Sequence, residues 1–352
     1  MMRNSMALAL LGFLIASCAH RAPSTREPAQ AENPTAGFSE PERWAQLKEL
    51  SSRLNLSEAK LSLSSGGTSV YAVIEQDGRA IGAVIPENSA TKLSGEVLSY
   101  TLARAFNVSD IYQSAIYFPL KGSNLTAFRS MIPSTPQRNA AKEENRRNIL
   151  ARIAAHPEGI DAIFKKWDAR PAAYDSLVSG GKLNSSHVLS GGSKPFAGFL
   201  KCDGPKPSRQ TRVQMNGGTN DELVLAKQLS SMLLIDALTQ QWDRFSGGNL
   251  QTTTVNGEVN FAAYDNGGTW SEPWTARNLG MVSRFDRDVA SRILELNRFV
   301  NQGGNTFLGI KTEQELKAAL GIENFPTAYG KLKSSLAAVA AHIQRHENCY
   351  FD

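Results

Sequence analysis

The run "NLQTTTVNGEVNFAAYDNGG", residues 249–268, leaves the chain little choice in how it folds. Asn256-Gly257 stands between two strand-like segments, and this dipeptide suits the positive-φ positions of the two-residue turn whose twist matches a hairpin. Such a turn fixes the register. Val255 pairs with Glu258, Asn249 comes opposite Tyr264, and Gly248 comes opposite Asp265. The amide oxygen of Asn249 and the carboxylate of Asp265 are thereby expected side by side at the open end of the hairpin. Just upstream, "NDELVLAKQLSSMLLIDALTQQ" is helical and its second half is apolar nearly all round, the pattern of a helix in the middle of a domain. Thr219 and Glu222 are read as its capping box. Asp243, in "WDRFSGGNL", leaves that helix toward the same space.

Hard oxygen ligands converging with room to spare suit Mg²⁺ or Mn²⁺, which take a few protein oxygens and fill the rest of the shell with water and phosphate. Asp243 is placed to orient a hydroxyl and accept its proton, and the neighbouring glycines allow a phosphate to approach the backbone. Taken singly, these residues also suit turns: Asp243 and Asn249 after the helix, and Asp265-Asn266-Gly267-Gly268 on its own. Arg244 either holds a phosphate or braces the loop by pairing with a carboxylate.

The N-terminus "MMRNSMALALLGFLIASCAH" has an early Arg and an apolar stretch too short to span a bilayer, the pattern of a secretory signal. Ile15, Ala16 and Ser17 before Cys18 resemble the lipobox of bacterial lipoproteins, which implies lipidation of Cys18. Cys202 and Cys349 then remain as an even pair for an oxidising compartment, with one connectivity open to them. The expected layout is a signal peptide over 1–17 and a disordered, Pro- and Ala-rich tether over 18–38, anchored by lipid in the cell envelope, at the outer membrane facing periplasm or cell surface. Order is expected from Ser39, read as an N-cap that forms a capping box with Glu42. With 38 Lys+Arg against 33 Asp+Glu and no dense basic run, a net charge of +5 does not argue for nucleic-acid binding.

"KLSLSSGGTSVYAVIEQDGRAIGAVIP" reads as three short strands, the last two joined at Asp77-Gly78. "LSGEVLSYTLARAFNV" reads as a helix with Ser94 as N-cap, and "IYQSAIYFPL" returns to extended structure and completes a lobe. "PQRNAAKEENRRNILARIAAHPEGIDAIFKKW" reads as a pair of polar-faced helices, and the loop-rich stretch 175–200 has no assignment. His342 and His346 have the spacing of metal ligands on a helix, but "HIQRH" lacks the Glu of a zinc protease.

A loop Asp, an Asn shortly after it, a hairpin, and an Asp followed closely by Gly form the core arrangement of phosphoryl transfer in kinases. "ALTQQWDRFSGGNL" with "FAAYDNGG" resembles the Four-jointed and Golgi casein kinase family of atypical secretory-pathway kinases and their bacterial relatives. That family carries Asp-Arg in the catalytic loop and Asp-Asn-Gly where ordinary protein kinases have Asp-Phe-Gly. "GEVLSYTLARAFNV" looks like its helix bearing a Glu that supports the nucleotide site. The resemblance covers mainly residues 70–120 and 222–270. It implies an α+β, two-lobed protein-kinase-like fold, with a small antiparallel-sheet N-lobe (39–132) and a mainly helical C-lobe (133–352). It further implies Asp243 as the catalytic Asp, Asn249 and Asp265 as metal ligands, and Glu96 as the helix Glu. Mg or Mn with ATP or another nucleoside triphosphate are the implied cofactors. The implied reaction moves the γ-phosphate to a hydroxyl of a protein or glycan outside the cytoplasm.

The chain departs from that pattern at identifiable points. Where the family's third strand carries a Lys, "GAVIP" has Ile85. Lys92, one helical turn before Glu96, either supplies the missing charge or is a solvated loop residue. Ser65, Gly66 and Gly67 in "SSGGTS" stand in for the glycine-rich phosphate loop, and Asn249 falls one residue later than the usual spacing. A second function therefore stays open: a catalytically inactive kinase-fold lipoprotein, a pseudokinase that binds a partner in the envelope, with Ile85 as its chief support. A third is transfer from another phosphate donor.

Overall fold

The computed structural model describes residues 37–64, 69–88, 91–135, 137–167, 196–215, 218–245 and 249–351, and these belong to one compact unit. The signal segment, Cys18, most of the tether and the loop residues Ser65, Gly66 and Gly67 lie outside the described residues.

The chain folds as the expected α+β, two-lobed architecture. Its first part runs α1 (Pro41–Arg53), β1 (Lys60–Leu63), β2 (Ala72–Gln76), β3 (Arg79–Pro86), α2 (Leu93–Ala105), β4 (Ser114–Tyr117), β5 (Leu120–Lys121), α3 (Gly122–Met131), α4 (Ala140–Ala155), β6 (Gly159–Ile160) and β7 (Ala162–Lys166). Its second part runs α5 (Phe196–Phe199), β8 (Arg212–Met215), β9 (Gly218–Asp221), α6 (Glu222–Thr239), β10 (Leu250–Val255), β11 (Glu258–Ala263), α7 (Pro273–Met281), α8 (Arg287–Asn301), α9 (Glu313–Ala319) and α10 (Ala328–Arg345).

Alternating apolar residues and the tight turn at Asp77-Gly78, with φ of 51° and 73°, make β2 and β3 a hairpin. The antiparallel sheet of this part has five strands in the order β1-β2-β3-β7-β4. Strand β7 thus enters between β3 and β4, which corrects two expectations. The stretch 137–167 is one helix followed by two strands, not a pair of helices, and the sheet takes a strand from beyond residue 132. The turn that ends α4 at "HPEG" frees "AIFKK" to extend as a strand buried along nearly its whole length.

Helix α6 is the spine of the second part. From Leu229 to Thr239 every residue is buried, and the helix packs against α2, α7 and α10. Ser230 and Thr239, though polar, satisfy their hydroxyls on the carbonyls of Arg284 and Ile235.

Local capping expectations fare less well, because tertiary partners compete for the same side chains. Ser39 Oγ donates to the Arg104 carbonyl at 2.9 Å, and α1 is entered through Glu40 in the left-handed region. Thr219 is taken up in β9, and the Glu222 carboxylate accepts from the Ser208 amide. Ser94 lies inside α2, whose N-cap is Lys92. Order also begins earlier than Ser39: Phe38 is buried edge-on against Phe307. The Cys202–Cys349 disulfide forms, with Cα atoms 5.5 Å apart across 147 residues of sequence. Closing so long a loop is worth about 4–5 kcal/mol on the chain-entropy account. Among the described residues no helix is long and apolar enough to cross a membrane.

Candidate active site

The hairpin β10/β11 forms in the expected register, Val255 opposite Glu258 and Leu250 opposite Ala263, around Asn256 and Gly257 at φ of 53° and 80°. The Tyr264 amide donates to the Asn249 carbonyl at 2.8 Å, which carries the pairing to the open end. There the amide nitrogen of Asn249 donates to the Asp243 carboxylate at 3.0 Å and to its carbonyl at 2.9 Å. With its N–H groups directed at Asp243, the amide oxygen is the Asn249 atom left for a cation. Asp265 sits exposed one residue past Tyr264, its backbone in the left-handed region at φ 48°. Burial and then the nearby Asp265 charge raise the Asp243 carboxyl above its ordinary range, against the opposing Asn249 hydrogen bond.

Beneath this cluster lies a buried knot. Arg244 pairs with Asp236 through two hydrogen bonds of 2.9 Å, both side chains essentially inaccessible. The same guanidinium donates to the carbonyls of Asn249 and Tyr264 at 2.9 Å and to Asn266 Oδ1 at 2.6 Å. Burial works against its charge, but Asp236 outweighs that and holds the guanidinium above its ordinary range. Arg244 is therefore the brace of the loop, tying the end of α6, the hairpin mouth and the Asp-Asn-Gly segment into one rigid body. It is not free to take a phosphate.

Gln241 links the two acidic positions. Its side-chain oxygen accepts from the Asp243 amide at 3.2 Å and its nitrogen donates to the Asp265 carbonyl at 3.1 Å. The segment after Asp265 is docked on the start of α2. The Lys92 amide donates to the Gly267 carbonyl at 2.9 Å, and the Trp270 indole to Ser94 Oγ at 2.9 Å. Gly95 lies so close to Thr269 that a Cβ there would stand 2.2 Å from its hydroxyl oxygen. Helix α2 carries Glu96 on this side, 1% exposed, where both carboxylate oxygens accept from Lys165 Nζ at 3.0 Å. Lys165 lies on β7, opposite Ala83 of β3 and Ala115 of β4. From the head of β2, Tyr71 is near enough to Asp265 for that charge, after burial, to raise its phenol.

No family model matches the chain, and neither does any curated protein. Among solved structures, the Golgi casein kinase with Mn/ADP bound aligns at a TM-score of 0.52, over 86% of this chain and 76% of that one. A further crystal structure of the Golgi casein kinase aligns at 0.53, over 86% and 75%, and in both cases 13% of residues are identical. The chain has a kinase-like fold.

Within this kinase-like fold the sequence-derived site residues separate into those brought together and those left apart. Asp243 and Asn249 are hydrogen-bonded, and Asp265 is near enough for its charge to act on Asp243. Glu96 faces the same region with Lys165 as its partner, a residue that sequence reasoning missed by merging it into a helical run. Its signal was there in the turn residues "HPEG" followed by the short apolar run "AIF". Lys92 does not reach Glu96; its ammonium lies 3.9 Å from Glu87 and is partly exposed, so the charge sought near Ile85 comes from the adjoining strand instead. Gln241 had no sequence signal, since an amide two residues before an Asp is commonplace.

The donor set fits a hard divalent cation. Asp243, Asp265 and the Asn249 amide oxygen offer hard donors, and a cation would offset both the burial and the Asp265 charge that raise the Asp243 carboxyl. Among the described residues no group of three or more His, Cys, Asp or Glu converges. Water and phosphate oxygens would therefore complete the shell, as Mg²⁺ and Mn²⁺ require. His342 and His346 belong to no group of three or more His, Cys, Asp or Glu among the described residues, and His342 Nε2 is engaged with the Val282 carbonyl at 2.7 Å.

Proposed function

We propose that this protein is a metal-dependent phosphotransferase that moves the γ-phosphate of ATP or another nucleoside triphosphate to a hydroxyl of a protein or glycan. The observation that carries this reading is the pairing, within one kinase-like fold, of the Lys165–Glu96 contact with the Asp243, Asn249 and Asp265 cluster. Asp243 accepts the proton of the acceptor hydroxyl as the acceptor oxygen bonds to the γ-phosphorus and the bond to the β–γ bridging oxygen breaks, leaving a nucleoside diphosphate. A raised carboxyl suits that task, because a base that binds a proton more tightly removes it more readily. Lys165, held by Glu96, supplies positive charge to the phosphates, and Asn249 and Asp265 hold Mg or Mn. When bound, the cation neutralises charge on the phosphate oxygens.

The inactive alternative rests on Ile85 standing where a Lys was expected, and Lys165 beside Glu96 supports the active reading instead. The lipid anchor at Cys18 completes the proposal by holding the domain in the cell envelope, outside the cytoplasm, where the Cys202–Cys349 bridge persists. The test is to mix purified protein with labelled nucleotide and Mn²⁺ or Mg²⁺ beside Asp265→Ala. Label transfer or self-labelling that disappears in the variant is expected. Calorimetry showing that the wild type binds neither nucleotide nor metal would overturn the proposal.

A further inference from the structure

Trp242 immediately precedes Asp243 and is 43% exposed, the one large hydrophobic side chain that stands open among the described residues. Three of the chain's five tryptophans lie between positions 242 and 274, but the other two there are already engaged. The Trp270 indole donates to Ser94 and its ring receives Lys331 at 5.5 Å, and Trp274 is stacked by Arg277 at 4.8 Å. Trp242 is held firmly despite its exposure. Its backbone amide donates to the Gly268 carbonyl at 2.9 Å. Gly268 leaves space for the neighbours of Trp242: a Cβ at that position would stand 2.7 Å from Gln241 Oε1 and 2.9 Å from Asp243 Cβ, and in ordinary contact, 3.4 Å, with the Trp242 ring nitrogen. An exposed indole with a fixed backbone is a surface prepared for a ligand, since leaving it in water forgoes the burial such a ring normally gains.

Resting on the phosphotransfer reading above, we infer that Trp242 is the acceptor platform, and that the acceptor is a carbohydrate whose ring stacks on the indole while its hydroxyl meets Asp243. The Asp243 side chain and the edge of the Trp242 indole both border Gly268, at 2.9 Å and 3.4 Å from the place its Cβ would take, so whatever lies on the indole and whatever offers a proton to Asp243 belong to one compact unit. A sugar places a C–H face and a hydroxyl in a single rigid ring. A serine hydroxyl sits one carbon from an extended backbone and brings no flat face of its own. Trp242 is then a specificity-determining residue for the same site, and Asp243 remains the group that touches the reacting oxygen.

The test is calorimetry without nucleotide, titrating cellotetraose, maltotetraose, chitotetraose and xylotetraose into wild type, Trp242→Ala, Trp242→Phe and Asp265→Ala. At least one saccharide is expected to bind wild type and Asp265→Ala alike. Trp242→Ala should bind it about tenfold or more weakly, the usual scale for losing an aromatic anchor, while melting as the wild type does. Trp242→Phe should recover most of the affinity. Failure of all four saccharides to bind, or equal binding by Trp242→Ala, overturns the inference. So does phosphate transfer to a serine peptide with a KM that Trp242→Ala raises, in the absence of transfer to any of the saccharides. If instead the wild type binds saccharide through Trp242 but neither nucleotide nor metal, phosphotransfer falls and the platform stands.

Discussion

Two acidic regions lie one above the other where the end of α6 meets the mouth of the β10/β11 hairpin, and they are built in opposite ways. In the lower one, Asp236 is matched by Arg244 through a two-point contact, and the guanidinium's remaining N–H groups reach backbone carbonyls and Asn266. In the upper one, Asp243 and Asp265 repel each other across the hairpin mouth, with an amide as the moderating neighbour. The first region is buried and balanced, so its contribution is rigidity. The second retains negative charge where solvent and ligands can reach it, a cost to the apo fold that a cation would lift. The two go together, because a cluster of unbalanced negative charge keeps its geometry only when the structure beneath it cannot relax.

The comparison breaks most visibly if Arg244 is replaced. Arg244→Met strands the Asp236 carboxylate in the core, and denaturant unfolding should show a loss of about 3–5 kcal/mol, the usual cost of removing one partner of a buried pair. A loss below about 1 kcal/mol, in the range of an exposed pair, would mean the knot does not hold the loop.

The upper cluster should respond in the opposite sense. Asp265→Ala is expected to lower phosphate transfer by about a thousandfold or more while leaving unfolding almost unchanged, since Asp265 is exposed. A comparable fall in stability would show that Asp265 belongs to the scaffold and not to the site.

Gly95→Ala sharpens the link between the two regions and α2. In an open helix that change would stabilise, but here the new methyl meets Thr269, so a loss of about 1–3 kcal/mol from overpacking is expected. Chemical denaturation decides between the two signs.

The smallest effect concerns Asp243 itself. Its carboxyl is raised in the folded protein, so the native state binds its proton more tightly than the unfolded chain does. The resulting penalty is fully present above the folded pKa and disappears as the pH falls through the ordinary Asp range. Asp243→Asn should therefore raise the melting temperature slightly near neutrality, with the gain closing at acid pH. In an NMR titration, Asp265→Asn should bring the Asp243 midpoint down, leaving the part of the shift that burial causes.

Much of this site was legible in residue order. The Asn-Gly turn dictated the register of β10 and β11, and counting from it put Asn249 opposite Tyr264, as observed. The apolar second half of α6 marked the helix from which Asp243 departs. The capping boxes at Ser39 and Thr219 were not reliable, because each hydroxyl or carboxylate found a partner elsewhere in the fold. Lys92 illustrates the same limit: proximity along a helix favoured it as the partner of Glu96, and the sheet supplied Lys165 instead.

What residue order settled was short in range: turn type, strand register and the alternation or completeness of burial, all consequences of backbone geometry repeating every two or nearly four residues. Tertiary structure alone chose the partner of Glu96. That choice depended on a strand arriving 69 residues later and inserting between β3 and β4. Nothing local encodes which edge a late strand joins, because that is decided by how much apolar surface the whole sheet can bury and by which side chains must then share its dry face.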